Sequence, residues 1–272
     1  MRYAFCNEMF QGWNVKDVFQ CAKDEGYEGV EVAPFTLADS VNDLSAERRR
    51  EIAAQATEVG VEIIGLHWLL VKPEGLYVNH PDDELRQRTR DYFADMIHCC
   101  ADLGGSVMVI GSPKQRNVLP GQTFRDTWCR TVDVLRSLVD VAAERAVTLC
   151  LEPLAGTETN FLRTSYEARH MVEEIDHPNL RLHLDVKAMS SEGRPVEDVI
   201  RENADVAGHF HANDANLRGP GFGDVDFVPI FQALTECGYS GWVSVEVFDF
   251  KPDPVTIARA SMQYMKKCEQ AL

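Results

Sequence analysis

The chain has no cysteine framework. Its eight cysteines include no CxxC pair and no regular spacing, which argues against a disulfide-stapled scaffold or a thiolate metal cluster. In a chain of 272 residues, 45% of them hydrophobic, they read as reduced thiols of a cytosolic protein around a sizeable core. Positive charge is also scarce. Against 43 Asp and Glu there are only 27 Lys and Arg, a formal charge of −16. That excess repels nucleic acid and anionic membrane surfaces at long range. No apolar run reaches membrane-spanning length and no basic-then-apolar leader opens the sequence, so a cytoplasmic location without membrane or nucleic-acid partners is the expectation. Interdomain linkers, low-complexity tracts and short internal repeats are missing too.

What is there is an alternation. Short β-rich runs stand at Tyr3–Cys6, Gly29–Ala33, Glu62–His67, Val107–Gly111, Val147–Glu152, Arg181–Asp185, Ala207–His211 and Trp242–Val247. Helical patterns follow them at Val15–Glu25, Ala46–Val59, Asp83–Leu103, Phe124–Arg145, Ser165–Ile175, Val196–Asn203, Phe227–Cys237 and Pro254–Cys268. Gly26, Gly60, Gly104 and Gly238 are placed to cap helix C-termini. Apolar strands joined by helices mean a parallel sheet covered on its outer face. Eight such units close most simply into a single α/β domain over residues 1–272, a (β/α)8 TIM barrel. An open doubly wound sheet would call for a GxGxxG turn after the first strand, where the chain reads Cys6-Asn7-Glu8-Met9.

In such a barrel alternate strand residues point inward and chemistry gathers at the C-terminal mouth. VTLCLEP ends at Glu152, LRLHLDV at Asp185, AGHFHAND at His211 and WVSVEVF at Glu246. Four consecutive strands therefore end in a metal-capable side chain. Three carboxylates around one point repel strongly at low dielectric, and a divalent cation removes the conflict. Oxygen-rich ligands with one imidazole favour Mn²⁺, with Mg²⁺ or Co²⁺ also suited. His183 and His209 lie one inward step deeper, where they would hydrogen-bond to the ligands or fill the core as neutral rings.

Carried by LEPLAGTE, HLDVKAM, HFHANDANLRGPGFGDVDF and SVEVF, the whole chain resembles the sugar (phosphate) isomerase/epimerase superfamily with a xylose-isomerase-like TIM barrel, nearest to its ketose 3-epimerase branch (D-tagatose or D-psicose 3-epimerase type). The resemblance implies that Glu152, Asp185, His211 and Glu246 bind one Mn²⁺-type ion, that Glu152 and Glu246 are the acid/base pair, and that Glu158, Arg218 and Phe248 contact a small sugar. It also implies a homodimer or homotetramer. Two departures stand out: the branch usually carries a histidine three residues after the strand-six aspartate, where this chain has Ala188 preceded by Lys187, and an Asn-Arg pair after the strand-five glutamate, where it has Ala155-Gly156.

A metal that chelates a carbonyl and its neighbouring hydroxyl stabilises the enediolate formed when a carbon-bound proton leaves. Return of the proton to the opposite face gives epimerisation, most simply 3-epimerisation. Delivery to the adjacent carbon gives aldose–ketose isomerisation, and loss of a β-oxygen gives a dehydratase or lyase acting on a 3-keto-sugar or inosose-type substrate. Lys187 is a candidate polariser, His67 with Trp68 a candidate pocket wall, and Trp13 a candidate stacking platform for a sugar. The stretch LLVKPEGLYVNHP, 69–81, is long enough for a lid, and the amides of GPGFG could hold a phosphate. Two other classes compete: an endonuclease on the same barrel, which needs more zinc-binding histidines and a basic face, and a catalytically dead sugar sensor.

Overall fold

Eight short runs rich in Val, Ile and Leu pair side by side, all parallel, until the last meets the first. In the computed structural model, which describes Met1 to Leu272, the strands are β1 (Arg2–Cys6), β2 (Gly29–Val32), β3 (Glu62–Leu66), β4 (Val107–Ile110), β5 (Thr148–Leu151), β6 (Leu180–Asp185), β7 (Ala207–Ala212) and β8 (Trp242–Val245). They close in chain order, with β8 pairing β1. The barrel expected from the alternation is the one observed.

Most of the helices start at a capping side chain, and some stop at a left-handed residue. Ser45 accepts the backbone N–H of Arg48 to open α2 (Ala46–Val59), and Gly60, at φ +81°, closes it by donating to the carbonyls of Ala56 and Thr57. The other helices are α1 (Val15–Asp24), α3 (Asp83–Asp102), α4 (Phe124–Arg136), α5 (Val139–Glu144), α6 (Ser165–Ile175), α7 (Val186–Ser190), α8 (Val196–Asn203), α9 (Phe227–Glu236) and α10 (Pro254–Glu269). Two differ from the sequence pattern. The fourth helix breaks at Ser137 and Leu138, where the Ser137 hydroxyl bonds back to the Val134 carbonyl at 2.6 Å. A short helix, α7, follows β6 directly and carries Lys187 and Ala188; five residues are too few to show a helical period.

Outward strand residues and inward helix faces share a continuous core of 68 buried apolar residues. Inside the barrel the filling is mixed. Val107, Val109 and Cys150 form a small apolar patch, while Cys6, Glu31, His183, His209, His211 and Ser244 are fully buried polar groups or thiols. Gly65 keeps this interior narrow, since a side chain there would lie 2.1 Å from the Val107 carbonyl oxygen. Between β6 and β7 the register slips at Leu182/His183, which sets His183 beside His209 and Asp185 beside His211. No helix is long and apolar enough to cross a membrane.

Candidate active site

Glu152 and Glu246 are the first residues past β5 and β8, and His67 the first past β3, so each side chain emerges at the rim on its strand's inward parity. All three line a cavity of about 530 Å³, together with Trp68, Glu158 and Phe248. Gly111, at the end of β4, clears room for Glu152: a Cβ there would fall 1.6 Å from its Oε2. β5 and β8 are separated in the ring by β6 and β7, so the two glutamates enter the mouth from different directions.

Beneath this opening, donor atoms of Glu152, His183, Asp185 and His211 all lie within 4.8 Å of one another. Glu246 joins through His211, whose Nδ1 is 3.2 Å from Glu246 Oε2. Three of the four expected ligands thus converge as a set and the fourth touches it at one member. His183, expected one step deeper, belongs to the set; its ring stands edge-on to His211 at 4.1 Å between centroids, and neither of its nitrogens has a hydrogen-bond partner. Asp185 is steered by two donors, the backbone N–H of Ala188 at 2.7 Å and the side-chain amide of Asn213 at 2.5 Å.

The electrostatics of the group favour a cation. Burial first, and then the negative charges of Glu246 and Asp185, hold the Glu152 carboxyl well above the usual carboxylate range. Burial likewise raises Asp185. Like charges about 4 Å apart repel by roughly 4 kcal/mol at an effective dielectric of about 20, a large share of a typical net stability of roughly 5–15 kcal/mol. Hard oxygen donors, one or two imidazoles and orphaned ring nitrogens fit a divalent ion of the Mn²⁺ or Mg²⁺ kind.

Two buried carboxylates behind the mouth escape sequence reasoning. Glu31, on β2, is 0% exposed, and its carboxylate accepts from His209 Nε2 at 2.8 Å and from His211 Nε2 at 3.1 and 3.2 Å. Burial opposes its ionisation, but His211 and His209 overcome it and hold the carboxyl well below its usual range. Glu8, after β1, bonds His67 Nε2 at 2.8 Å and accepts the backbone N–H of Val247 at 3.3 Å. The inward parity of Glu31 in GVEV was the available signal; its partners lie about 180 residues away.

Trp68 is part of the wall, and Lys187, outside the lining, braces Glu158 and Phe248, which belong to it. The Trp68 indole donates to Glu246 Oε1 at 2.7 Å, and its ring stacks on Phe248 at 5.8 Å with 24° between planes. Its backbone sits at φ +50°, an unfavourable conformation for so large a side chain. Lys187 is 7% exposed; its ammonium reaches both Glu158 oxygens at 2.9 and 3.1 Å and lies 3.9 Å over the Phe248 ring. Burial works against its charge, but Asp185, Glu158 and Glu246 keep its proton affinity above that of free lysine.

Two expected contacts are not brought here. Trp13 stands edge-on to Phe10 and lines a shallow surface groove with residues of α1 and α10, because the turn after β1 carries it outward past the rim. Arg218 is turned toward Asp249 and the Lys251 carbonyl, 3.6 and 2.9 Å away, and does not line the cavity. Within GPGFG, side chains at Gly219, Gly221 and Gly223 would strike Ser261, Tyr264 and Asp214, so the glycines serve close packing. Of the 69–81 stretch, Val71 and Glu74 line the cavity, while Leu70 and Val78 are pinned to Ser112 and Gln115.

A family model described as a xylose isomerase-like TIM barrel matches residues 19–268. The D-psicose 3-epimerase of Ruminiclostridium cellulolyticum is 27% identical over 176 residues, 63% of this chain and 59% of that protein, so the aligned stretch spans less than two thirds of it. The 3-dehydro-D-guloside 4-epimerase of Escherichia coli is 24% identical over 98% of this chain and all of that one. Among solved structures, a D-psicose 3-epimerase of Clostridium cellulolyticum with D-tagatose superposes with a TM-score of 0.86 at 20% identity, covering 99% of each chain.

Proposed function

This chain belongs to the family of xylose isomerase-like TIM barrels, and from that we propose that it is a divalent-metal-dependent epimerase of a ketose or keto-sugar, most simply a 3-epimerase. One observation carries the reading: two glutamates from separate strands, Glu152 and Glu246, line one cavity, and Glu152 also belongs to a ligand-grade cluster. The names of the relatives, a ketose 3-epimerase and a dehydro-guloside 4-epimerase, support the same class of reaction.

Glu152, Asp185, His211 and Glu246, with His183 beside them, would hold the ion, Mn²⁺ in the first instance. When bound it supplies Lewis-acid stabilisation of the negative charge that proton removal leaves on the sugar oxygens. The protein's own groups do the proton work. One glutamate takes the carbon-bound proton on one face of the sugar, the other returns a proton on the opposite face, and the carbon inverts. Trp68 locks Glu246 Oε1 by its N–H, leaving Oε2 toward His211. Lys187, anchored by Glu158, presents a cation to the substrate's oxygens, and Phe248 beneath it offers an apolar floor.

A second reading rests on Lys187 itself. Where the resemblance leads one to expect a histidine at position 188, this chain places Ala188 beside a buried ammonium, a group able to give its proton to a departing oxygen. That would make the same cluster a dehydratase or lyase. Incubating the metal-loaded protein in D₂O with ketoses, ketose phosphates and 3-keto-glycosides, followed by NMR, separates the two. Deuterium with an inverted carbon supports the epimerase, a deoxy or unsaturated product supports the lyase, and no exchange with any sugar refutes both.

A further inference from the structure

The interior of the barrel holds a second cluster of metal-capable groups: Cys6 with Glu31 and His67, and Glu31 with His209 and His211. Its distances speak against a second ion. Two ligands of one tetrahedral zinc, each about 2.0 Å from the metal, lie about 3.3 Å apart, whereas Glu31 Oε2 and His209 Nε2 are 2.8 Å apart, a hydrogen-bond length. The Cys6 sulfur stands 3.7 Å from Glu31 and 3.4 Å from Ser244 Oγ, within reach of weak thiol hydrogen bonds. The cluster is a hydrogen-bonded one, and its geometry has a consequence for the site above it.

An ionised carboxylate only accepts. Both rings that meet Glu31 do so through Nε2, so each must carry its hydrogen there. On His211 this leaves Nδ1, which faces Glu246 Oε2 at 3.2 Å, as the nitrogen turned toward the ligand-grade cluster. We infer that Glu31 is a positioning residue, fixing His209 and His211 as Nε2–H tautomers and aiming the Nδ1 lone pair of His211 at the metal position. The inference rests on the metal reading of the cluster proposed above. It also accounts for a glutamate fully buried on β2 that is not part of the cavity lining. Carboxylates behind a ligating imidazole commonly set ligand orientation and metal affinity in this way.

Glu31→Gln tests it with almost no change of shape. The amide keeps one accepting oxygen and replaces the other with an NH₂ donor; both rings meet Oε2 but His211 also faces Oε1, so an amide nitrogen there opposes a hydrogen on His211 Nε2. His209 Nδ1 has no partner in the protein, so moving the His209 hydrogen to Nδ1 would leave it unmatched. His211 is the ring free to shift its hydrogen, because Glu246 can receive it at Nδ1, and that shift removes the lone pair. Competition of the metal-free protein with a chelating dye for Mn²⁺ should show binding about 10- to 100-fold weaker than wild type. In ¹⁵N-histidine-labelled, Mg²⁺-loaded wild type, His209 and His211 should give Nε2–H signatures, and Glu31→Gln should convert one ring. Glu31→Asp, which stays an acceptor only, should keep the wild-type signatures. Wild-type Mn²⁺ affinity in a folded Glu31→Gln variant, or an Nδ1–H His211 in the wild type, overturns the inference. Should the variant not fold, the wild-type tautomers and Glu31→Asp still decide. Failure of the wild type itself to bind Mn²⁺ would strike the metal reading instead.

Discussion

Two glutamates inside one barrel are held in opposite ways. Glu31 and Glu152 are both buried, 0% and 6% exposed, and both sit on the inward face of a strand or its end. Glu31 is kept well below the usual carboxylate range by two imidazoles, Glu152 well above it by burial and by the charges of Glu246 and Asp185. Depth within the barrel does not decide the matter, since burial alone raises either carboxyl. Neighbours do. The interior supplies Glu31 with donors that satisfy it, and the mouth surrounds Glu152 with acids. A satisfied carboxylate can hold other groups in place. One crowded by like charges can bind a cation or carry a proton. The barrel thus divides into an orienting layer and a reacting layer, joined at His211, which touches Glu31 on one side and Glu246 on the other.

Removing a reacting carboxylate should break this division most severely. Glu152→Gln and Glu246→Gln should each lower solvent proton exchange into the sugar by about 10²–10⁴-fold, the usual worth of a general acid or base, while circular dichroism stays native; exchange at wild-type rate in either variant would remove it from the acid/base pair. Stripping divalent ions with a chelator should abolish turnover, with recovery on adding Mn²⁺, and full activity in excess chelator would deny the cation a role. Lys187→Met should come next. It leaves Glu158 without its ammonium and should lower kcat/KM by about 10²-fold, since hydrogen bonds to charged groups are worth roughly 1.5–3 kcal/mol. An unchanged kcat/KM would reduce Lys187 to a structural cation. Trp68→Phe keeps the stack on Phe248 and deletes only the N–H to Glu246, so kcat should fall about tenfold, as loss of a hydrogen bond to a carboxylate implies. At the small end, Trp13→Ala and Arg218→Ala lie outside the cavity and should shift kcat/KM by no more than about twofold, in line with substitutions away from key features; a large loss at Arg218 would mean that its loop swings over the bound sugar.

The reacting layer was far more legible in the sequence than the orienting one, for a physical reason. Glu152, Asp185, His211 and Glu246 each end or immediately follow an apolar run, and parity along a strand is a local property that sequence carries directly. The eight alternating units gave the barrel in the same manner, and the glycine at position 60 marked a helix end correctly. Pairing across the barrel is not local. Glu31 has inward parity in GVEV, but its two histidine partners stand on β7, and only closure of the barrel brings them within reach. Trp68 reaches Glu246 across 178 residues, through a left-handed backbone turn that no periodicity signals. The approach of His183 to Glu152 and His211 depends on how β6 pairs with its neighbour, and the register slip at Leu182/His183 cannot be read from β6 alone. Arg218 and Trp13 followed loop position, and loops turned both away.

The most direct test is the position of a bound ion. Anomalous diffraction from crystals grown with Mn²⁺ should show one strong peak per chain in contact with Glu152, Asp185, His211 and Glu246. No peak at saturating Mn²⁺, or a peak ligated by other residues while this cluster stays metal-free, would contradict the account.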